Sequence, residues 1–132
     1  MNDTARSAKV FVSHDWGANG ETHRRVGKVV ELLRDRGIEV WFDETHMKGN
    51  ILDAMCEGID SSDHVLCFIT QAYIAKVQTG GDADNVRREF MYAQHKGKSG
   101  HIIPIRFDPH LPSSWGGPVG MCLGSHLYVD MR

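Results

Sequence analysis

Several features that would place a protein in a class at once are scarce in this sequence. Its 132 residues contain three cysteines, an odd number without a CxxC pair, so neither a disulfide framework nor a cysteine zinc site is expected. Its apolar runs, such as Val65–Ile69, fall far short of the ~20 residues of a membrane span, and residues 1–8 have no signal-peptide core. We therefore expect a cytoplasmic domain that does not enter a membrane.

A surplus of positive charge is also missing. Fifteen Lys and Arg residues stand against 17 Asp and Glu residues, which gives a formal net charge of −2. Nucleic acid is not expected as a partner, because neutralising its phosphates needs a basic surplus. The chain is long enough for one core flanked by helices.

The common motifs of phosphate and nucleotide chemistry are absent or broken. No GxGxxG occurs, and the tripeptide GKS at residues 97–99 ends a phosphate-loop pattern whose first glycine would fall on Tyr92. A response regulator would close its third strand on an aspartate, where this chain has Ile69 and Thr70.

Metal and nucleophile motifs are equally weak. The eight histidines show no HExxH or other ligand spacing, so no metal is expected. His14, His46 and His110 could share one edge of the molecule, although solvated loop histidines explain the same pattern. Ser13 lacks the GxSxG surroundings of a hydrolase nucleophile.

The sequence does contain a regular alternation of strand and helix patterns. Apolar segments predict strands at residues 9–13, 38–42, 65–69, 101–106 and 126–130. Helices are predicted from a Thr22 cap to Gly37, from an Asn50 cap onward, and over residues 84–94. Residues 70–81 are expected to be a longer connection with about one helical turn, and residues 108–120 an irregular surface stretch.

This alternation predicts an α/β fold with a mostly parallel sheet, helices on both faces and right-handed crossovers. Ligands of such sheets lie beyond the carboxyl ends of the strands. The loops on that edge are residues 13–20, 43–50, 70–81 and 107–120.

The helix over residues 84–94 carries one unexpected residue. Its buried-type stripe, at positions i, i+3, i+4 and i+7, consists of Val86, Glu89, Phe90 and Ala93. A glutamate on a helix flank can swing into water, or it can favour the dipole in a first turn. The second explanation is weak, because a cap at Asp82 or Asp84 leaves Glu89 beyond the first turn. The helix also offers this glutamate no cation four residues away on either side.

Three blocks of the sequence, at residues 10–15, 37–44 and 58–73, resemble a Toll/interleukin-1 receptor (TIR) domain in order and spacing. With the Glu89 helix, the resemblance covers nearly the whole chain. It implies a TIR domain over residues 9–132 after a disordered or short tail at 1–8. It also implies a flavodoxin-like fold, with five parallel strands in the order 2-1-3-4-5.

The resemblance further implies a site for NAD⁺, as a substrate rather than a cofactor. Glu89 matches the catalytic glutamate of the NAD⁺-cleaving members. The remaining candidates, which would bind the substrate, are Ser13, His14, Asp15, Trp16, Asp43, Gly49, Ile51 and Asn85.

Several of these positions have a particular meaning in the family. Asn85 stands where the family has a tryptophan, and the first loop lacks the family's arginines. Gly49 matches a hinge glycine in a loop that, in the family, packs against a neighbouring protomer. Ile51 stands near the position of a bulky apolar residue that lines the family's nicotinamide pocket. Trp16 could stack on a flat ring, or it could pack on the domain surface.

Three functions remain open. The first is NAD⁺ cleavage to nicotinamide and ADP-ribose or a cyclic isomer, in signalling of the innate-immune or cell-death type. One carboxylate suffices for it, because nicotinamide leaves without needing a proton. The second is a non-catalytic adaptor that binds copies of itself or other TIR domains. The third is another N-glycosidic transferase, such as a nucleoside deoxyribosyltransferase.

Overall fold

The computed structural model describes residues 8–42, 51–79, 85–95, 101–111, 115–123 and 129–131. The strands in these ranges are β1 (Lys9–Ser13), β2 (Glu39–Trp41), β3 (His64–Ile69), β4 (Ile102–Arg106) and β5 (Val129–Asp130). The helices are α1 (Glu21–Asp35), α2 (Ile51–Ser61), α3 (Gln71–Thr79), α4 (Asn85–His95) and α5 (Gly117–Leu123), with a 3₁₀ turn at Ala18–Gly20.

The strands form one parallel sheet in the order β2-β1-β3-β4-β5. β1 lies between β2 and β3, with Phe11 opposite both Trp41 and Val65. Parallel neighbours need crossover connections, and the helices supply them. The predicted α/β fold class and strand order are therefore confirmed.

The core has two halves, one on each face of the sheet, because the central strands are apolar on both sides. The half under α2 to α5 includes Phe11, Val65, Cys67, Ile69, Tyr73, Phe90 and Leu123. The half under α1 includes Val10, Val12, Val26, Val30, Leu66, Phe68 and Phe107. Gly58 lets α2 approach the sheet closely, since a Cβ there would lie 2.7–2.8 Å from Trp41 and Phe11 atoms.

Two helices stand where the sequence predicted little regular structure. α3 spans nine residues, and its Tyr73 and Val77 are buried one turn apart. Its start is capped by Thr70, whose hydroxyl oxygen accepts the Tyr73 backbone N–H at 3.0 Å. α5 lies at the end of the stretch read as irregular, and it buries Val119 and Leu123. Pro118 does not prevent this helix, because a first-turn proline loses no helical hydrogen bond.

The predicted cap of α1 is also wrong. The helix begins at Glu21 after Gly20, which adopts a left-handed φ of 76° without a side-chain cap bond. Thr22 instead packs against the backbone of Gly17, where an added Cβ would clash with it. Gly37, with φ 84°, ends the helix as predicted.

The remaining predictions about element ends have mixed outcomes. The caps proposed at Asn50, Asp82 and Asp84 lie outside the described residues. The last strand is described at Val129–Asp130, the end of its predicted span. Within the part of the chain that the structure describes, no helix combines the length and apolar character needed to cross a membrane.

Candidate functional site

The glutamate in the stripe of α4 faces the protein interior. Val86, Phe90 and Ala93 are buried as predicted, and Glu89 is only 8% exposed. Its Oε1 accepts a hydrogen bond from the Ser13 hydroxyl at 2.9 Å. Ser13 is the last residue of β1, so this hydrogen bond holds the carboxylate at the carboxyl end of a central strand.

Two further buried groups continue from this pair. The Ser13 Oγ lies 2.9 Å from the Tyr73 Oη, which lies 3.4 Å from the Cys67 Sγ. Burial raises the pKa of Cys67 to about 12, and the pKa of Tyr73 well above its ordinary value. The negative charge of Glu89 raises both pKa values further. Both groups therefore keep their protons at neutral pH.

Asp15 is buried, and its carboxylate forms a hydrogen bond inside the domain. The Thr70 hydroxyl donates to its Oδ1, and the same Thr70 oxygen caps α3. The Asp15 side chain thus ties the loop after β1 to the start of α3. This contact is a structural role that the sequence did not indicate.

His14 and Trp16 belong to a stack of rings on the other side of that loop. The Trp16 and His23 rings are nearly parallel, 3.9 Å apart at 2°, and His23 stacks in turn on Phe42 at 4.9 Å. The His14 Nε2 and His23 Nδ1 lie 2.8 Å apart. Trp16 is 49% exposed, so its indole both packs on the domain and presents surface to solvent.

The structure describes the remaining predicted residues only in part. Asp43, Gly49 and His46 lie outside the described residues. Ile51 and Asn85 begin α2 and α4, and their side chains lie outside the described part of the structure. His110 is exposed and joins α3 through its carbonyl, which accepts the Gln71 side-chain amide at 2.9 Å.

The sequence missed His23, Thr70 and Tyr73 as members of this region. Each lies on a helix or directly before one. Only the folded chain brings these residues near the end of β1. For Thr70, a signal existed, since a threonine directly before a helix is a common cap. For the ring of His23 and the hydroxyl of Tyr73, periodicity gives no signal.

A separate cavity of about 380 Å³ lies between α2 and α4, away from Glu89 and Ser13. Its lining is almost entirely apolar and consists of Met55, Cys56, Ile59, Arg88, Met91, Tyr92 and His95. Among the residues that the structure describes, no cluster of three or more His, Cys, Asp or Glu side chains could hold a metal ion.

Comparisons with known proteins agree with this architecture. A curated relative from Methanobrevibacter olleyae, named "Probable 2′ cyclic ADP-D-ribose synthase TcpO", is 27% identical over 101 residues. The match covers 75% of this chain and 27% of the relative, so the chain spans about a quarter of that protein's length. The crystal structure of a prokaryotic SEFIR domain superposes with a TM-score of 0.62 at 20% identity, covering 83% of this chain and 73% of that one. This second likeness supports the fold.

The family model described as the TIR domain matches residues 10–132. The match begins at the second residue of β1 and includes β2 to β5 and the helix that carries Glu89. The chain therefore belongs to the TIR-domain family.

Proposed function

We propose that this protein cleaves the bond between nicotinamide and ribose in NAD⁺, with Glu89 as the catalytic carboxylate. The supporting observation is the buried Glu89 side chain at the carboxyl end of β1, hydrogen-bonded to Ser13. Family membership and the name of the M. olleyae relative support the same class of reaction.

The chemistry suits a single carboxylate. The C1′–N bond breaks with its electron pair going to the pyridinium nitrogen, so nicotinamide departs neutral and needs no general acid. Positive charge then develops on the ribose, where a carboxylate in a low-dielectric surrounding stabilises it. A carboxylate accepts about four hydrogen bonds, so the Ser13 contact is compatible with holding a ribose hydroxyl.

The acceptor decides the product. Water adds its oxygen to C1′ and loses a proton to solvent, which gives ADP-ribose. A ribose hydroxyl or the adenine ring of the same molecule gives a cyclic isomer. The relative's name favours the cyclic outcome, and both products share the departure of nicotinamide.

The half-exposed indole of Trp16 is the candidate surface for a flat ring of the substrate. One face is already stacked on His23, which holds the indole in place and reduces the entropy lost when a ligand stacks on it. His14 supports this arrangement through its contact with His23. The resemblance alone supports four further proposed substrate contacts, which are Asp43, Gly49, Ile51 and Asn85.

Self-association is part of the proposal. The loop at residues 43–50 would contact a neighbouring protomer and complete the site, with the protein acting in the cytoplasm as a signalling enzyme. A second function, a non-catalytic adaptor, is favoured by one feature. Met91 is 42% exposed and lines the apolar cavity between α2 and α4, where a partner could pack.

The test is release of nicotinamide, followed by chromatography from concentrated protein with NAD⁺. The wild type is compared with Glu89→Gln and with Glu31→Gln, the same change at an exposed position of α1. We expect activity in the wild type and Glu31→Gln, and its loss in Glu89→Gln. Equal rates in all three would remove Glu89 from the reaction. A silent wild type, even with a crowding agent, would favour the adaptor.

A further inference from the structure

Behind the carboxylate of Glu89 lies a row of three buried groups from three other elements. Ser13 comes from β1, Tyr73 from α3 and Cys67 from β3, and none of the three has measurable exposure. Parallel pairing sets Ser13 directly opposite Cys67 in the sheet, which places both within reach of the Tyr73 hydroxyl. The groups are therefore connected by the fold rather than by the local sequence.

Their protons can be arranged in one way that satisfies all three contacts. An ionised carboxylate only accepts, so the single Ser13 proton is donated to Glu89. The 2.9 Å contact between Ser13 and Tyr73 then needs the phenol proton of Tyr73. The Tyr73 hydroxyl can also donate to the Cys67 Sγ at 3.4 Å. Sulfur is the weaker acceptor, so we place the phenol proton on the Ser13 contact, and the Cys67 thiol, which keeps its proton because it is buried, can then donate to Tyr73.

We propose that Tyr73, acting through Ser13, is a positioning residue for the Glu89 carboxylate. Aligned donors polarise one another, so the phenol strengthens the hydrogen bond that Ser13 gives to Glu89. That bond holds one carboxylate oxygen, and with it the plane of the carboxylate, in a fixed direction. The inference rests on the proposed function, in which the direction of this carboxylate matters for the ribose. Ser13, expected from the resemblance to touch substrate, also touches the proposed catalytic carboxylate.

The first experiment is a double-mutant cycle on the release of nicotinamide. Tyr73→Phe keeps the ring in the core and removes only the hydroxyl. We expect kcat to fall by about tenfold with little change in KM, and Ser13→Ala to cause a fall of at least that size. Because Tyr73 acts through Ser13, adding Tyr73→Phe to Ser13→Ala should have almost no further effect.

The matched control is Tyr92→Phe, the same chemical change on the flank of α4 that faces α2. The Tyr92 hydroxyl contacts Asp60 at the surface and has no part in the row behind Glu89. Its kcat should equal that of the wild type. Fully additive losses in the cycle, or equal losses in Tyr73→Phe and Tyr92→Phe, would overturn the positioning role.

A second measurement does not depend on activity. The carboxyl carbon of Glu89 is followed by NMR during a pH titration of the wild type and each variant. Removing a donor disfavours the charged carboxylate, so the midpoint should rise in Ser13→Ala and Tyr73→Phe and stay in Tyr92→Phe. If the midpoint rises but wild type releases no nicotinamide, the proposed function fails while the hydrogen-bonded row stands. An unmoved midpoint in both inner variants would overturn the row itself.

Discussion

Helix α4 carries similar chemistry on two faces, and the difference between them is burial. On the inner face, the Ser13 hydroxyl donates to Glu89 at 2.9 Å inside the core. On the flank that faces α2, which we call the outer face, the partly buried Tyr92 donates its hydroxyl proton to Asp60 at 3.0–3.1 Å, and this hydrogen bond is exposed. Water can replace the outer partner at small cost, whereas removing a hydrogen bond from a buried carboxylate costs more. A hydroxyl–carboxylate pair therefore indicates a site only when the fold excludes water from it.

The largest expected effect tests the packing of the two faces. Phe90 is fully buried and Met91, its neighbour, is 42% exposed. Phe90→Ala should lower the free energy of unfolding by about 3–5 kcal/mol, because it leaves a cavity under α4. Met91→Ala should change it by less than about 0.5 kcal/mol. Urea unfolding followed by circular dichroism measures both, and comparable losses would contradict the inner and outer assignment.

The next effect tests the two carboxylates as chemical groups. Glu89→Gln keeps the shape of the side chain and removes the charge, so nicotinamide release should fall by on the order of 10²–10³-fold. Asp60→Asn removes the outer charge and should leave the rate within about twofold. Initial rates at saturating NAD⁺ make the comparison. If Asp60→Asn were as damaging as Glu89→Gln, burial would not be the deciding property.

A third prediction concerns alkaline pH. Folding raises the pKa of Cys67 from its ordinary 9.0 to about 12, and raises the pKa of Tyr73 well above its ordinary 10.0. Above those ordinary values the unfolded chain loses protons that the folded chain retains, so stability is complete below pH 9 and declines as pH rises. A group that is ionised in the unfolded chain and still protonated in the folded chain lowers the free energy of unfolding by about 1.4 kcal/mol per pH unit.

The measurement is the unfolding free energy in urea between pH 8 and pH 11. Tyr73→Phe removes one of the two groups, so its stability should decline less steeply above pH 10 than that of the wild type. Parallel curves for the wild type and Tyr73→Phe would show that the phenol is not shielded from water as the structure places it.

The smallest effect belongs to the outer pair. Partial burial and the Asp60 carboxylate raise the pKa of Tyr92 to about 12, yet its hydroxyl bonds at the surface. Tyr92→Phe should therefore leave the melting temperature nearly unchanged at neutral pH, which differential scanning calorimetry can check. A clear fall in melting temperature would mean that the outer pair contributes to stability despite its exposure.

The sequence was informative where periodicity applies. Alternating strands and helices predicted the sheet, and the spacing of Val86, Glu89 and Phe90 predicted the buried stripe of α4. The resemblance to the TIR family supplied the strand order. These properties repeat along the chain, so one sequence reveals them.

The partners of Glu89 could not be predicted in the same way. Ser13 is 76 residues away, and Tyr73 belongs to a nine-residue helix where the sequence predicted a connection with about one helical turn. Hydroxyls at such positions leave no periodic signal, because a buried tyrosine follows the same spacing as a phenylalanine. The left-handed turn at Gly20 was missed for a related reason: Thr22 looks like a cap unless the turn before it is known.

The segment after β1 has one more consequence, for how this domain can vary. Ser13 bonds to α4, His14 to His23 of α1, and Asp15 to the residue that opens α3. Successive side chains of an extended segment point to opposite sides, so adding a single residue here would send each of them to the wrong helix. Engineering a different recognition loop must therefore begin beyond this tripeptide, at Trp16 or later, where extra length would leave all three attachments intact.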